Sequence, residues 1–259
     1  MVHATVLGRL DAVPTLPRLG GMARPDGVAI VSERFWAFAG TDGTLREGEM
    51  PTPHGRLRAI PLLRGLVRLS LSLSPLVRSD GVAKPRERLL LVAAVVGPLG
   101  FTFLPHVWSL AAGAGVTLAL LAWLLRGRTL ALHGAEHRAI AATEERQLAA
   151  TWSGGERPTR FAARCGTNFA ALVFPVAAVL DRAWPFGPTV WASFVVVLLS
   201  LALTMELWLA IESSRRRLAQ IFLLPGLGLQ RLTTREPRLD ETRVALRAVE
   251  SVLTRELTA

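Results

Sequence analysis

From Leu89 to Leu125 the chain carries no charged residue, and only Gly97-Pro98-Leu99-Gly100 and Leu104-Pro105-His106 interrupt the apolar run. At about 1.5 Å of rise per residue, one straight helix of that length outruns the ~30 Å hydrocarbon core of a bilayer. The pattern therefore predicts two short spans, at about 89–104 and 107–125, that turn near Pro105-His106. A second apolar block starts after Cys165, runs through Asn168–Leu180, meets Asp181-Arg182 and resumes as Val190–Ile211. Four membrane-spanning helices are expected in all, Val190–Ile211 being the longest uninterrupted one.

The flanks have other periods. Val28–Ser32 and Phe35–Ala39, followed by Asp42-Gly43 and Thr44–Glu47, read as a small strand hairpin with an Asp-Gly turn. Leu62–Val77 is apolar but carries Arg64 and Arg68, with Arg78 next to it, the pattern of a helix lying in the headgroup zone. Leu218–Leu229 is broken by Pro225-Gly226 and too short to cross, so it reads as re-entrant or interfacial. From Asp240 a last amphipathic helix has Glu241 in its first turn and apolar positions at Ala245, Val249, Val252 and Leu253. The expected fold is mainly α: a polytopic membrane protein with about four transmembrane helices, a small N-terminal strand hairpin and cytoplasmic amphipathic helices. Its parts are an N-terminal cytoplasmic segment (1–59), an interfacial helix (60–88), a four-span region (89–217) enclosing a cytoplasmic loop (126–164), and a C-terminal re-entrant and amphipathic segment (218–259). Met1–Gly21 has no charged head followed by an apolar stretch, so it is expected to be mature sequence.

Composition adds an asymmetry. The 259 residues are 51% hydrophobic yet hold 30 Lys+Arg against 20 Asp+Glu, a net charge of +10. Position explains the excess: Arg56, Arg58, Arg64, Arg68, Arg78, Lys84, Arg86 and Arg88 precede the first expected span, Arg126 and Arg128 follow the second, and Arg215-Arg216-Arg217 follow the fourth. Under the positive-inside rule this predicts a multi-pass cell-membrane protein with both termini cytoplasmic. The lipid bilayer is then the expected partner, together with an unidentified substrate or membrane protein. With no basic patch interleaved with aromatics outside these flanks, no nucleic-acid partner is expected. Trp108, Trp123, Trp184, Trp191 and Trp208 near span ends read as an aromatic belt, and His3, His54 and His106 as isolated. Gly20-Gly21 near Gly27 lacks the context of a dinucleotide fingerprint.

The candidate chemistry lies just after the second expected span. On a helix, His133, Glu136, His137 and Glu144 share one stripe. Imidazoles at i and i+4 can clamp one divalent ion and the intervening glutamate can serve as general base, in the H-x-x-E-H order of inverted zinc-hydrolase motifs. A polar helix face lined by satisfied histidines is the plainer alternative. Cys165, the only cysteine, could add a soft thiolate ligand and excludes an intramolecular disulfide. Glu206, inside the last span near its cytoplasmic end, is a further candidate, unless it merely snorkels to Arg215 or Arg216. The expected ligands are His133, His137, Glu144 and Cys165, with Glu136 as the catalytic base; the cofactor is a divalent metal, with zinc as the candidate. The competing class is a non-catalytic membrane factor in which the stripe is a structural ion site or a partner-contact surface.

His133-Gly-Ala-Glu136-His137 with Glu144, then Arg164-Cys165-Gly166-Thr167, then Pro225-Gly226-Leu227-Gly228-Leu229-Gln230-Arg231-Leu232-Thr233-Thr234-Arg235-Glu236-Pro237, together resemble the YqhQ-like family of bacterial membrane proteins. Ile60-Pro61-Leu62-Leu63-Arg64-Gly65 fits the segment ahead of that family's first span, and Gly20-Gly21 with Asp26-Gly27-Val28 looks like a decayed copy of its N-terminal motif. The resemblance implies several transmembrane helices and a metal-dependent enzyme of unknown substrate. It also implies a histidine where this chain has Ala162, and other residues where it has Met22, Asp26 and Ala29-Ile30-Val31. A histidine that could complete a metal site is therefore missing.

Overall fold

The computed structural model describes residues 2–52, 59–78, 80–124, 126–187, 189–214 and 221–259. His54, Arg56, Arg58, Arg215, Arg216 and Arg217, along with the first residues of the Leu218–Leu229 segment, lie outside the described residues, as do the side chains of His106 and Trp123. The expected hairpin is part of a larger unit. Strands β1 (Gly20–Arg24), β2 (Gly27–Val31), β3 (Phe35–Gly40) and β4 (Leu45–Glu49) form an antiparallel meander in sequence order. Gly27 pairs with both Arg24 and Gly40, and Val28 with Ala39. A Cβ at Gly27 would meet the Ala39 carbonyl at 2.2 Å, so only glycine lets β2 lie this close to β3.

The two-residue period of β2 and β3 sorts their side chains onto two faces. Val28, Ile30, Ala37 and Ala39 enter the main core, while Ala29, Trp36 and Phe38 form a second cluster with Val82. The main core is closed by helices α1 (Val2–Asp11), α5 (Thr129–Glu145), α6 (Leu148–Ser153) and the C-terminal α10 (Leu239–Thr258). Apolar positions at helical spacing on α10, namely Ala245, Leu246, Val249, Val252 and Leu253, are all buried, as its amphipathic pattern predicts. Glu241 caps that helix by accepting the Arg238 backbone N–H at 2.9 Å. Ser32 and Arg34 tie the sheet to its far end through Glu256, at 2.6 and 2.7 Å.

The remaining helices are α2 (Leu63–Val77), α3 (Pro85–Gly100), α4 (His106–Leu124), α7 (Gly166–Ala183), α8 (Val190–Ser213) and α9 (Leu224–Thr233). Here the four-span expectation fails. Among the described residues one helix is long and apolar enough to cross a membrane, Val190–Ile211 of α8. The physical reason is interruption. Helix α3 has 16 residues and opens on Arg86, Glu87 and Arg88. Helix α7 is bracketed by Asn168, which is buried and hydrogen-bonded, and by Asp181-Arg182. A four-span topology, and the orientation of the termini built on it, have no basis in one such helix. The span of α8 is 33% buried.

Helix α2, expected at the interface, packs along α8. Gly65 leaves no room for a Cβ beside Met205 and the Ala202 carbonyl. Glu206 accepts the Leu62 backbone N–H at 3.1 Å and both Nε and Nη2 of Arg64. Its partner is therefore Arg64, from the other side of the chain, and these bonds hold Leu62 in the left-handed region at φ 68°. Replacing Leu246, fully buried in the main core, by alanine is expected to lower the unfolding free energy by about 2–5 kcal/mol. Leu203→Ala on the outer face of α8 should change it by less than about 0.5 kcal/mol. Thermal midpoints of the two variants in detergent check the contrast.

Candidate metal centre

Helix α5 is made from good helix formers, with Ala131, Ala135, Ala139 and Ala142 among them, and stops at Arg146 in the left-handed region, φ 59°. Ten of its residues are buried, among them Gly134, Glu136, His137 and Arg138. A helix this enclosed cannot present a solvated polar stripe, so each of those polar groups needs a partner. The four-residue spacing stacks His133 and His137 edge to face with ring centroids 4.5 Å apart.

Each ring is fixed by a backbone carbonyl. His133 Nδ1 donates to the Thr233 carbonyl at 2.9 Å and His137 Nδ1 to the Arg160 carbonyl at 2.7 Å. A carbonyl only accepts, so the proton sits on Nδ1 and the Nε2 lone pair of each ring is free to bind. His133 Nε2 lies 3.3 Å from Cys165 Sγ. His137 Nε2 is buried with no hydrogen-bond partner among the described residues. The ligand atoms of His133, His137 and Cys165 all fall within 4.8 Å of one another. Burial pushes both imidazoles down, His137 to about 4 with the neighbouring His133 adding to it, so both are neutral at physiological pH. Burial also raises the Cys165 thiol to about 11, against hydrogen bonds from Thr167 and with help from Glu136. Two neutral imidazoles and a thiol that a cation would deprotonate are a donor set suited to a borderline-soft divalent ion.

Cys165 is held by its position as the N-cap of α7, accepting from Thr167 Oγ1 at 3.2 Å. The loop before it is clasped from behind. The Gln230 side chain accepts the Ala162 N–H at 2.9 Å and donates to the Ala162 carbonyl at 2.7 Å. Asn168 donates to the carbonyls of Ala162 and Ala163. Both amides are fully buried, and Gly226 exists to admit one of them, since a Cβ there would stand 2.0 Å from Asn168 Oδ1. Residues 233–237 then lie across α5 as a strap. The Arg235 N–H donates to the Leu130 carbonyl at 2.9 Å, and its own carbonyl stands 2.2 Å from where a Gly134 Cβ would be. Arg138, buried in α5, reaches Glu236 at 2.6 Å and the Pro158 carbonyl at 3.0 Å, and Arg160 also pairs with Glu236. The polar tail motif without an evident chemical role is the outer support of the two histidines.

Glu136 faces the sheet. It is 5% exposed, pressed against β1 where a Cβ at Gly21 would meet its Cγ at 2.7 Å. Desolvation raises its carboxyl to about 8 despite a hydrogen bond from the Ala23 backbone. Gly20-Gly21 therefore makes room for a carboxyl, a role outside any nucleotide motif. Glu144 lines the same cavity, of about 510 Å³, but is paired with Arg164, and Glu206 lies away from it on Arg64. The structure brings together His133, His137, Cys165 and Glu136. What sequence reading missed were the roles of Gly21, Gly134, Asn168, Gln230 and Arg138; Gln230 had the signal of standing in a long motif, whereas Asn168 had none.

The buried Glu136 gives a pH signature to the metal-free protein. Its folded value lies above its unfolded one near 4.5, so the folded state binds the extra proton between about pH 4.5 and 8. The contribution of Glu136 to stability then falls as pH rises through that window and levels off above it, while the two histidines, lowered by burial, work in the opposite direction up to about pH 6.5. Glu136→Gln is expected to remove this slope, at most about 1.4 kcal/mol per pH unit, and to raise stability at pH 8. Thermal melts from pH 4.5 to 9 on both proteins, stripped of metal, measure it; parallel curves contradict it.

The family described as "Protein of unknown function (DUF1385)" matches residues 123–255. That stretch contains all three convergent ligands, the clasp and the strap, while the sheet that covers Glu136 precedes it. The chain is also 24% identical over 299 residues to the "Uncharacterized protein YqhQ" of Bacillus subtilis (strain 168), across 92% of each chain. No solved structure matches. The motifs on α5, before α7 and along the strap thus lie where the family match lies, and the chain belongs to the DUF1385 family, whose function is unknown.

Proposed function

We propose that this protein is a membrane-associated, metal-dependent hydrolase whose single divalent ion, of the zinc class, is held by His133, His137 and Cys165. The observation that carries the reading is the convergence of two Nε2 lone pairs and one Sγ within 4.8 Å, with the His137 Nε2 buried and otherwise without a partner. An orphaned buried nitrogen costs about 1–3 kcal/mol, a penalty that an ion would remove. Both rings have their other nitrogen on a carbonyl, the outer-shell arrangement typical of metal-bound histidine.

Three protein ligands beside a cavity leave a coordination position open, which is the pattern of catalytic rather than closed structural sites. When bound, such an ion supplies Lewis acidity and an activated water suited to cleaving an amide or ester. Glu136, on the same cavity, holds and moves the proton. Its carboxyl is kept neutral by burial in the metal-free protein, and a cation nearby favours its ionised, proton-accepting form. Glu144 stays with Arg164 at the cavity edge. Helix α8, apolar, long enough to cross and two-thirds unburied, supports the membrane association.

A second reading is favoured by the depth of the site. Cys165 and His137 are both buried, as the ligands of a structural ion often are. Cobalt substitution separates the two. We expect one cobalt per chain, a sulfur-to-metal absorption band that is lost in Cys165→Ser, and no stoichiometric metal in a His133→Ala, His137→Ala variant. Azide or cyanide should perturb the cobalt spectrum if a position is open and leave it unchanged if the ion is structural. Gly134→Ala, which pushes the strap off His133, should weaken metal affinity about 10- to 100-fold. A purified protein that takes up no metal at neutral pH sinks the reading.

A further inference from the structure

The cavity in front of His133, His137 and Cys165 is large enough for a small-molecule ligand, at about 510 Å³. Its walls are mostly apolar, with Leu19, Met22, Ile140, Phe161, Ala163 and Ala170 among the lining residues. The hydroxyls on the lining are already engaged. Thr129 donates to the Arg126 carbonyl, Thr159 accepts from the Phe161 N–H, and Thr167 donates to Cys165. Arg164, a cation on the lining, is paired with Glu144. A peptide, sugar or nucleotide seated here would leave several polar groups without partners, at about 1–3 kcal/mol each.

The cavity also has a direction. Gly166 and Ala170 line it, and one turn further along α7 the same face carries Phe174, 68% exposed. A Cβ at Gly166 would find open space. From Cys165 an apolar strip of Gly166, Ala170 and Phe174, open at Gly166, therefore runs up α7, which packs against α8, the helix long enough to cross a membrane.

We propose that the ligand of this site is an amphiphile with a long unbranched aliphatic chain, an acyl or alkyl lipid. Its chain lies along Ala170 and Phe174, and its polar end meets His133, His137 and Cys165. This rests on the hydrolase reading for the polar end, whereas the chain site stands on the cavity walls alone. Delivery is lateral, from the bilayer surface beside α8, so the chain need not enter water.

Two measurements on full-length protein in nanodiscs test it. The first is the affinity of zinc-loaded protein for linear alkyl hydroxamates from acetohydroxamate to dodecanohydroxamate. Affinity should rise by up to about fourfold per added methylene. In Ala170→Trp, which fills the strip, that gain should vanish while acetohydroxamate still binds. The second is photolabelling of metal-free protein with a diazirine-bearing dodecyl alcohol, with crosslinks expected within residues 161–174 and reduced at least fivefold in Ala170→Trp. Affinity flat with chain length, an equal gain in the variant, or crosslinks absent from that segment overturns the proposal. Crosslinks retained in a protein that binds no zinc support the chain site and count against the hydrolase reading alone.

Discussion

The close approach at Gly134 is the constraint on which the rest of the site depends. With the Arg235 carbonyl 2.2 Å from where a side-chain carbon would be, the strap touches the backbone of α5 itself. Only this contact brings the Thr233 carbonyl within 2.9 Å of His133 Nδ1 and turns that ring's other nitrogen toward Cys165. The strap in turn cannot lift, because Glu236 is tied to Arg138 and Arg160. The carbonyl of that same Arg160 fixes His137. The two histidines are thus oriented by two segments that Glu236 ties together, and neither ring can rotate without breaking a hydrogen bond to a backbone carbonyl.

The same economy explains the amides behind Cys165. Gln230 both accepts from and donates to the backbone of one residue, Ala162, so it sets the course of the loop regardless of the side chain there. The family resemblance points to a histidine at this position. With alanine, the clasp is unaffected and the cavity is wider on that side. The loss removes a possible ligand but none of the scaffold that positions the remaining three.

What was legible in the sequence followed from periodicity. The i, i+4 histidines, the buried face of α10 and the strands around Asp42-Gly43 needed only the 3.6- and 2-residue repeats. Strand β1 was not legible, since Gly20–Arg24 has no alternation and is recruited by pairing with β2. The break at Pro105, after the Phe101–Phe103 turn, falls where the apolar pattern places it. The spans were over-read because an apolar run does not fix the length of the helix inside it, α3 being 16 residues with charges in its first turn, and because buried Asn168 belongs to the clasp, not to a lipid-facing helix. Glu206 is an ionisable group in an apolar helix, and its observed partners are Arg64 and the Leu62 N–H. Arg64 is 142 residues distant in sequence, and only the packing of α2 on α8 brings it near, while Arg215 and Arg216 lie outside the described residues. Gly21, Gly134 and Gly226 carry no chemistry of their own, so a search for reactive side chains passes over them.

Glu136 shows how the sheet and the helical part depend on each other. A carboxyl buried against Gly21 favours the neutral form, while an ion at the neighbouring histidines favours the charged one. Ionisation against β1 is costly while the site is empty, because the Ala23 backbone bond is too little to offset desolvation. His133, His137 and Cys165 would hold an ion there, whose positive charge would favour the ionised carboxyl. Metal binding should therefore release two protons from the protein, one from Cys165 and one from Glu136, and its affinity should increase with pH up to the point where both leave. The sheet, which lies outside the family match, meets the site at this carboxyl and along β1, whose residues Gly20 to Ala23 line the cavity. A larger residue at Gly21 would push Glu136 away from the strand and into the cavity, decoupling its ionisation from the fold while leaving the three ligands in place.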